Sequence, residues 1–293
     1  MVSSIKFAVF TGSTPEYTPE EIVGLLKDTG YDGVEWRVVD QDPSPTGQPD
    51  FWKGNRCTLP LRTFVDEAPR IRALTEAAGL QMPTVGSYAF CHEIEAVEQV
   101  LRGTALLGAG AARVRVPKYD GREHIRDRRE RSRQQLRTVE ALARQYGVQA
   151  VIQIHHETIT PSASAMATFL EGFDPRYVGA MWDPGNMVKE GFEQYQLGLE
   201  TLGPYLATVH LKNVAWKPVR TAQNGTVVWQ SNWAPLRTGV ADVGAVFAGL
   251  AAVGYSGWVT FEDFTNEQPR PERLRDDLMY ARELAGAATT VAA

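Results

Sequence analysis

Short apolar segments rich in β-branched residues alternate with helical patterns along most of the chain. Because these segments are almost continuously apolar rather than alternating, they are typical of parallel strands that are buried on both faces. The helical patterns often end in glycine just before the next apolar run, as at Gly30 and Gly147. The predicted strands are Ile5–Thr11, Gly33–Val38, Leu80–Gly86, Ala112–Val116, Val148–His155, Tyr177–Trp182, Ala207–Lys212 and Trp258–Glu262.

Helices are predicted most clearly between or after these strands. They cover Thr18–Thr29, Leu61–Ala78, Glu123–Tyr146, Val243–Val253 and Pro271–Ala285. Eight strand-then-helix units predict an α/β fold in which residues 1–293 form a single (β/α)8 TIM-barrel domain. An open, doubly wound parallel sheet is the alternative architecture.

Two long segments without a helical pattern interrupt this repeat, at residues 40–60 and 214–238. Each follows a predicted strand, so we expect both to lie over the C-terminal face of the barrel, where long loops usually serve binding or catalysis. Asn224-Gly225 in the second segment predicts a type I′ hairpin turn. Residues 286–293 are expected to be a loose tail.

Composition narrows the class of protein. The 293 residues are 43% hydrophobic and carry a net charge of −5, which excludes a disordered chain and disfavours nucleic-acid binding through bulk charge. Two cysteines give no disulfide framework and fit a reducing compartment. No stretch approaches the ~18 apolar residues of a membrane span. We therefore expect a soluble, cytoplasmic protein that binds neither nucleic acid nor membranes.

Three side chains that can bind metals lie at the ends of different predicted strands. Asp183 follows VGAMW, His210 lies in TVHLKN, and Glu262 ends WVTFE. In a barrel, the carboxyl ends of the strands meet on one face, so these groups can converge. Two carboxylates and an imidazole suit Mn²⁺, Mg²⁺, Co²⁺ or Zn²⁺.

Four motifs, in this order, carry a resemblance to a known family: GYDGVEWR, DPGN, VHLKN and VTFED. From Ile5 to about Ala285, the chain resembles the xylose-isomerase-like barrels of sugar phosphate isomerases and epimerases. That superfamily includes ketose 3-epimerases, inosose dehydratase and metal-dependent lyases that split 3-keto C-glycosides. The resemblance implies one divalent metal ion, most readily Mn²⁺, with Asp183, His210 and Glu262 as ligands.

The fourth ligand of the family is a glutamate in a Glu-x-His motif, and this chain has Gln153-Ile154-His155 instead. Gln153 can still offer an oxygen to a metal, but a neutral amide cannot exchange a proton. We therefore expect His155 to be the catalytic base, with Glu262 as the second catalytic residue. His156 should point away from His155 along the strand. One base supports isomerisation or β-elimination, whereas the family's epimerases use two glutamates.

Five residues are predicted to contact the substrate. They are Glu35, Arg115, Lys212, Trp52 and Trp216, since cations and aromatic rings near strand ends suit sugars. Two of them have structural alternatives: Glu35 could instead pair with Arg37 or Arg62, and Lys212 could support its neighbour His210.

The resemblance implies an isomerase or epimerase that acts next to the carbonyl of a sugar or keto-sugar, with a lyase as the alternative. A homo-oligomer is expected, or a complex with a small accessory subunit if the protein is a deglycosylating lyase. A DNA-repair endonuclease of the same fold would hold three zinc ions with more histidines and carboxylates than this chain offers. A sugar-binding barrel without catalysis is the remaining alternative.

Overall fold

Eight parallel strands close into a barrel in the computed structural model, which describes residues 5–291. Its last strand, Trp258–Phe261, closes the ring by pairing with both Leu206–Leu211 and Lys6–Phe10, whereas Asn213–Thr221 and Val227–Ala234 form a separate two-stranded sheet. The ring excludes the open, doubly wound sheet. The strands are β1 Lys6–Phe10, β2 Gly33–Val38, β3 Thr84–Ser87, β4 Ala111–Arg113, β5 Gln149–Gln153, β6 Val178–Trp182, β7 Leu206–Leu211, β8 Asn213–Thr221, β9 Val227–Ala234 and β10 Trp258–Phe261.

Helices surround the barrel. The first of them follows its sequence signals closely, because Thr18 and Glu21 form a reciprocal capping box, Pro19 opens the helix, and Gly30 ends it with a φ of 95°. The helices α3, α5, α6 and α7 were not among those predicted. Within residues 5–291, the helices are α1 Pro19–Thr29, α2 Phe64–Ala77, α3 Ile94–Leu107, α4 Ile125–Tyr146, α5 Ala163–Leu170, α6 Pro184–Lys189, α7 Tyr195–Leu202, α8 Val243–Ala252 and α9 Arg270–Val291.

Two strands near the site, β3 and β5, are shorter than predicted. β3 begins at Thr84 rather than Leu80, after Pro83, which has no N–H to give to a sheet. β5 ends at Gln153 rather than His155. The two histidines that follow therefore lie in a loop, where the alternation of strand side chains no longer applies.

Strand alternation places the functional side chains inside the barrel. Ala111, Val151 and Met181 form a small apolar cluster on β4, β5 and β6, separate from the large core between strands and helices. Two residues further along the chain stand Arg113, Gln153 and Asp183. Residues two apart in a strand share a face, so these polar groups lie directly above the apolar layer.

The two long segments meet at the carboxyl end of the barrel. Trp52, from residues 40–60, and Trp233, from β9, both pack against Phe264, with ring centres 4.9 and 5.4 Å away. Residues 214–238 are mostly an antiparallel hairpin, β8–β9, rather than a loop. Asn213, at the start of β8, holds the base of this hairpin in place, because its side-chain oxygen accepts hydrogen bonds from the backbone N–H groups of Val214 and Ala241.

The prediction of a type I′ turn at Asn224-Gly225 in the hairpin is wrong. That turn needs a positive φ at both central residues, but Gly225 has a φ of 84° and the sole non-glycine residue with positive φ in the described chain is Glu157. The N–H of Gly225 instead donates to the carbonyl of Ala222 at 2.9 Å. A turn that starts at Ala222 and ends in a left-handed glycine therefore connects β8 to β9.

The carboxyl-terminal segment also differs from the expectation of a loose tail. Helix α9 continues through Val291, and residues 292–293 lie outside the described chain. The alanines after Gly286 are strong helix formers, which favours this continuation. No helix in the described chain is long and apolar enough to cross a membrane.

Candidate active site

A cavity of about 270 Å³ opens at the carboxyl end of the barrel. Six of the ten predicted site residues line it, whereas Glu35, Asp183, His210 and Trp216 do not. Trp216 instead donates from its indole N–H to the carbonyl of Val188 at 3.0 Å. The lining residues are Trp52, Tyr88, Arg113, Arg115, Gln153, His155, Lys212, Trp233, Glu262 and Phe264.

Asp183, His210 and Glu262 come together in a buried cluster, and Glu262 also lines the cavity. Each offers one ligand atom, these atoms lie within 4.8 Å of one another, and all three side chains are buried. The cluster could therefore hold a metal ion.

The DPGN motif positions Asp183. One carboxylate oxygen caps α6 by accepting from the backbone N–H of Asn186 at 2.9 Å, and the other accepts from the Asn186 side chain at 2.7 Å. Pro184 occupies the first helical position, where no N–H is needed. A Cβ on Gly185 would lie 2.5 Å from Cγ of Lys212. The glycine therefore leaves room for this lysine beside Asp183.

His210 is held by a carboxylate beneath the cavity. Its Nε2 lies 2.9 and 3.0 Å from the two oxygens of the fully buried Glu35, so Nε2–H donates to Glu35. Its Nδ1 faces Glu262 at 3.3 Å. Burial alone would lower the pKa of His210, but the charges of Glu35 and Glu262 outweigh it and raise this pKa to about 9.

Glu35 is therefore placed differently from both sequence interpretations. It contacts His210 rather than the cavity, and it pairs with neither arginine. Arg37 instead donates to Thr58, and Arg62 pairs with Asp40. A carboxylate that accepts from one ring nitrogen leaves the other directed at the site, which is the arrangement found around metal-binding histidines.

Lys212 bridges the two carboxylates of the cluster. Its Nζ lies 2.8 Å from Oδ2 of Asp183 and also contacts Oε2 of Glu262. Burial alone would lower the pKa of Lys212, but these two carboxylates outweigh it and raise this pKa. Burial alone would raise the pKa of Glu262, but the positive charges of Lys212 and His210 hold it well below its usual range. Glu262 is thus a poor base.

The side chain of Gln153 has a fixed orientation. Its Oε1 accepts from Nη1 of Arg113 at 2.8 Å, and its Nε2 donates to Oδ2 of Asp183 at 2.7 Å. Since a guanidinium can only donate, the amide oxygen must face Arg113. The amide nitrogen therefore faces the cluster and has no lone pair to offer a metal. In this orientation the oxygen of Gln153 is not directed at the cluster, and its role as the fourth ligand stays a prediction.

Arg113 is a charged residue of the cavity lining that the sequence interpretation missed. It is buried, lies 3.5 Å from Oε1 of Glu262 and donates from Nε to the carbonyl of Ser87 at 3.0 Å. Its guanidinium stacks 4.7 Å from the centre of the Tyr88 ring. The available signal was its period-two relation to Arg115 within an otherwise apolar strand.

His155 lines the cavity as a neutral imidazole. Its Nδ1 lies 2.8 Å from the backbone carbonyl of His156. A carbonyl can only accept, so Nδ1 carries the hydrogen and Nε2 holds the free lone pair. Within the described chain, Nε2 has no hydrogen-bond partner. Burial, followed by the charge of Lys212, lowers the pKa of His155 well below its usual value.

His156 does not point away from its neighbour as predicted. The two rings stack with centres 4.2 Å apart, because β5 has already ended at Gln153. Nδ1 of His156 lies 3.0 Å from Oδ1 of Asn186, which accepts because the amide nitrogen of Asn186 donates elsewhere. His156 thus supports the loop and lies outside the cavity lining.

The buried cluster fits a divalent ion with three protein ligands. Asp183, His210 and Glu262 supply two oxygens and one nitrogen, and Glu35 orients the imidazole as a ligand requires. The ammonium of Lys212 contacts oxygens of the same two carboxylates. An ion and this ammonium would therefore compete for one set of oxygens.

Comparison with known proteins places the chain by fold. The family model described as xylose isomerase-like TIM barrel matches residues 23–284. Comparison with curated proteins gives no match.

Among solved structures, the apo 3-keto-D-glucoside 4-epimerase YcjR of E. coli is 15% identical with a TM-score of 0.71, over 95% of this chain and 99% of that one. A probable 3-DHS dehydratase of Bacillus anthracis is 14% identical with a TM-score of 0.69, over 94% and 98%. A xylose isomerase-like protein of Mycobacterium smegmatis in complex with magnesium is 14% identical with a TM-score of 0.71, over 99% and 100%.

Proposed function

Because this chain belongs to the xylose isomerase-like TIM-barrel family, we propose that it is an enzyme that removes a proton next to the carbonyl group of a small sugar or keto-sugar. The reaction proposed first is isomerisation, in which the same base returns the proton to the former carbonyl carbon while the proton of the adjacent hydroxyl passes to the former carbonyl oxygen. The cavity of about 270 Å³ is slightly smaller than sites for drug-sized ligands, which suits a molecule the size of a monosaccharide.

The observation that carries this proposal is the state of His155. A general base needs a free lone pair at neutral pH within reach of the substrate. The hydrogen bond from Nδ1 to the carbonyl of His156 leaves Nε2 with that lone pair, on a residue that lines the cavity. Nε2 of His155 is accordingly the atom that takes and returns the proton.

The cations on the cavity wall have the complementary role. Removing the proton places negative charge on the carbonyl oxygen, and fixed donors in a buried site stabilise such charge strongly. Lys212 and Arg113 both line the cavity, and their carboxylate and amide partners hold them in place. They would bind and orient the carbonyl oxygen.

A divalent ion would be held by Asp183, His210 and Glu262, with Mn²⁺ the first choice and Mg²⁺, Co²⁺ or Zn²⁺ as alternatives. When bound, such an ion polarises a carbonyl oxygen and favours loss of the neighbouring proton. The magnesium complex of the Mycobacterium smegmatis protein with the same fold is consistent with this assignment.

Epimerisation is disfavoured relative to isomerisation because it needs proton-exchanging groups on both faces of one carbon. Gln153 is a neutral amide, and the charges of Lys212 and His210 lower the pKa of Glu262. β-Elimination by a lyase is the second candidate, since one base suffices for it and a probable dehydratase shares the fold.

Solvent deuterium exchange tests the proposed function. The protein would be incubated in D2O with a panel of ketoses, inososes and 3-keto-glycosides and with phosphorylated and carboxylated keto-sugars. Each incubation would contain Mn²⁺, Mg²⁺, Co²⁺, Zn²⁺ or EDTA. An isomerase yields a product of unchanged formula with deuterium at the new C–H position, and a lyase yields a dehydrated or aglycone product. If no substrate exchanges or turns over with any of the four metals, the proposal fails and a binding protein becomes the better description.

The expected cytoplasmic location and the homo-oligomer or accessory subunit stay predictions. Light scattering of the purified protein, alone and after isolation from its native host, measures its oligomeric state and any accessory subunit.

A further inference from the structure

Three cationic side chains line the cavity, and two of them already have anionic partners. Arg113 lies 3.5 Å from Glu262, and Lys212 contacts both Asp183 and Glu262. These two charges are compensated within the protein. Arg115 is the third.

The guanidinium of Arg115 has no carboxylate within ion-pair distance and donates no side-chain hydrogen bond within the described chain. It lies instead between two aromatic rings, with its central carbon 4.6 Å from the centre of Phe90 and 5.5 Å from that of Tyr88. Glu93 is the acidic residue nearby, and its carboxylate accepts from the backbone N–H of Phe90 at 2.8 Å. The rings hold the guanidinium in place but leave its N–H groups without acceptors.

An uncompensated cation on a partly buried wall is costly unless a ligand supplies the opposite charge. Burial, together with the charge of Arg113, lowers the pKa of Arg115, as expected for a cation without an anionic partner. A planar guanidinium with free N–H groups is suited to bind the paired oxygens of a carboxylate or phosphate.

We infer that the substrate carries an anionic group, a carboxylate or a phosphate, and that Arg115 binds it. This inference rests on the proposed function, because it assigns the substrate class of the same cavity. Arg115 and His155 both line a space of about 270 Å³, so one small molecule can reach both residues. Neutral sugars would leave Arg115 without a partner and should be poorer substrates than their anionic counterparts.

Titration calorimetry with two simple anions, inorganic phosphate and acetate, tests the inference without any turnover. The wild-type protein would be compared with Arg115→Met, Arg115→Lys and a control, Arg122→Met. Arg122 is an exposed arginine whose nearest carboxylate, on Asp120, is 3.8 Å away. Thermal melts of each variant would establish that it is folded.

We expect Arg115→Met to weaken anion binding by about tenfold or more, as for loss of charged hydrogen bonds. Arg115→Lys should keep part of the affinity, and Arg122→Met all of it. Stronger binding of phosphate assigns a phosphate ester, and stronger binding of acetate assigns a carboxylate. If the wild type binds neither anion, or if Arg115→Met binds them as well as the wild type, the inference is overturned.

The deuterium-exchange assay separates this result from the proposed function. Exchange on neutral keto-sugars without anion binding would overturn the inference alone. Anion binding that depends on Arg115, without exchange on any neutral, phosphorylated or carboxylated keto-sugar, would overturn the proposed function alone.

Discussion

The two sides of the cavity differ in how completely their polar atoms are partnered. On the side of β6, β7 and β10, the charged groups of Asp183, Lys212 and Glu262 contact one another. Beyond the ends of β4 and β5, Nε2 of His155 and the guanidinium of Arg115 have no hydrogen-bond or ionic partner within the described chain. Both sides are built on strands of the same barrel.

This difference separates the groups that hold the site together from the groups that can react with or bind a substrate. On the first side, the ionic contacts fix the positions of the charged side chains and keep opposite charges together, as preorganised sites require. The free atoms on the second side are those to which a substrate can still offer a proton or an anion. Mutations should therefore affect stability and metal binding on the first side, and turnover or substrate binding on the second.

The largest effect should come from the unpartnered base. His155→Gln removes the lone pair that takes the proton, so kcat should fall by roughly 10²–10⁴-fold, the usual contribution of a general base. The content of Mn²⁺, measured by elemental analysis, should not change. His156→Gln is the matched control, since its ring lies outside the cavity lining and should leave kcat within a few fold. Equal losses for both variants would contradict the assignment of His155.

Mutation of the partnered side, formed by Asp183, Lys212 and Glu262, should lower the stability of the protein. Lys212→Met leaves Asp183 and Glu262 facing each other without their cation, and loss of one partner from a buried ion pair costs about 3–5 kcal/mol. We expect a lower free energy of unfolding in EDTA, measured by urea denaturation, and partial recovery when Mn²⁺ is added. Lys189→Met is the control, because Lys189 lies 4.0 Å from the ring of Trp233 rather than on a carboxylate.

If Mn²⁺ gives Lys212→Met no more stability than it gives the wild type, the ammonium and the ion do not share a site.

Much of the fold and part of the site could be predicted from the sequence. Continuous apolar runs at regular spacing predict the barrel, and a barrel brings Asp183, His210 and Glu262 to one face whatever the details of their surroundings. These predictions depend only on strand order and on which residues end each strand.

The remaining features depend on partners that are distant along the chain. The orientation of Gln153 is set by Arg113, which lies 40 residues earlier, and Glu35 meets His210 across 175 residues. The place of His156 depends on where β5 stops, which the apolar run through Ile154 does not reveal. No local pattern specifies these contacts.

Changing Gln153 tests whether the cluster of Asp183, His210 and Glu262 can be converted to the family's usual ligand set. Gln153→Glu places a third carboxylate beside Asp183 and Glu262, and added ligand charge raises metal affinity. We expect Mn²⁺ to bind on the order of tenfold more tightly, or about 1.4 kcal/mol, in titration calorimetry. Gln149→Glu, at the other end of β5, is the control and should bind Mn²⁺ as the wild type does. Unchanged affinity in Gln153→Glu would show that Arg113 keeps the new carboxylate away from the ion.

The smallest effect should come from the aromatic residues, where one exposed tryptophan, Trp52, can be tested with another, Trp216, as its control. Trp52 lines the cavity and packs on Phe264, whereas Trp216 lies outside it and donates to Val188. An aromatic contact contributes about 0.5–1.5 kcal/mol. Trp52→Ala should therefore raise KM roughly two- to tenfold with little change in kcat, and Trp216→Ala should change neither. Initial rates over a range of substrate concentrations measure both values. A larger rise in KM for Trp216→Ala than for Trp52→Ala would contradict substrate binding in this cavity and would indicate that the substrate binds on the outer face of the hairpin.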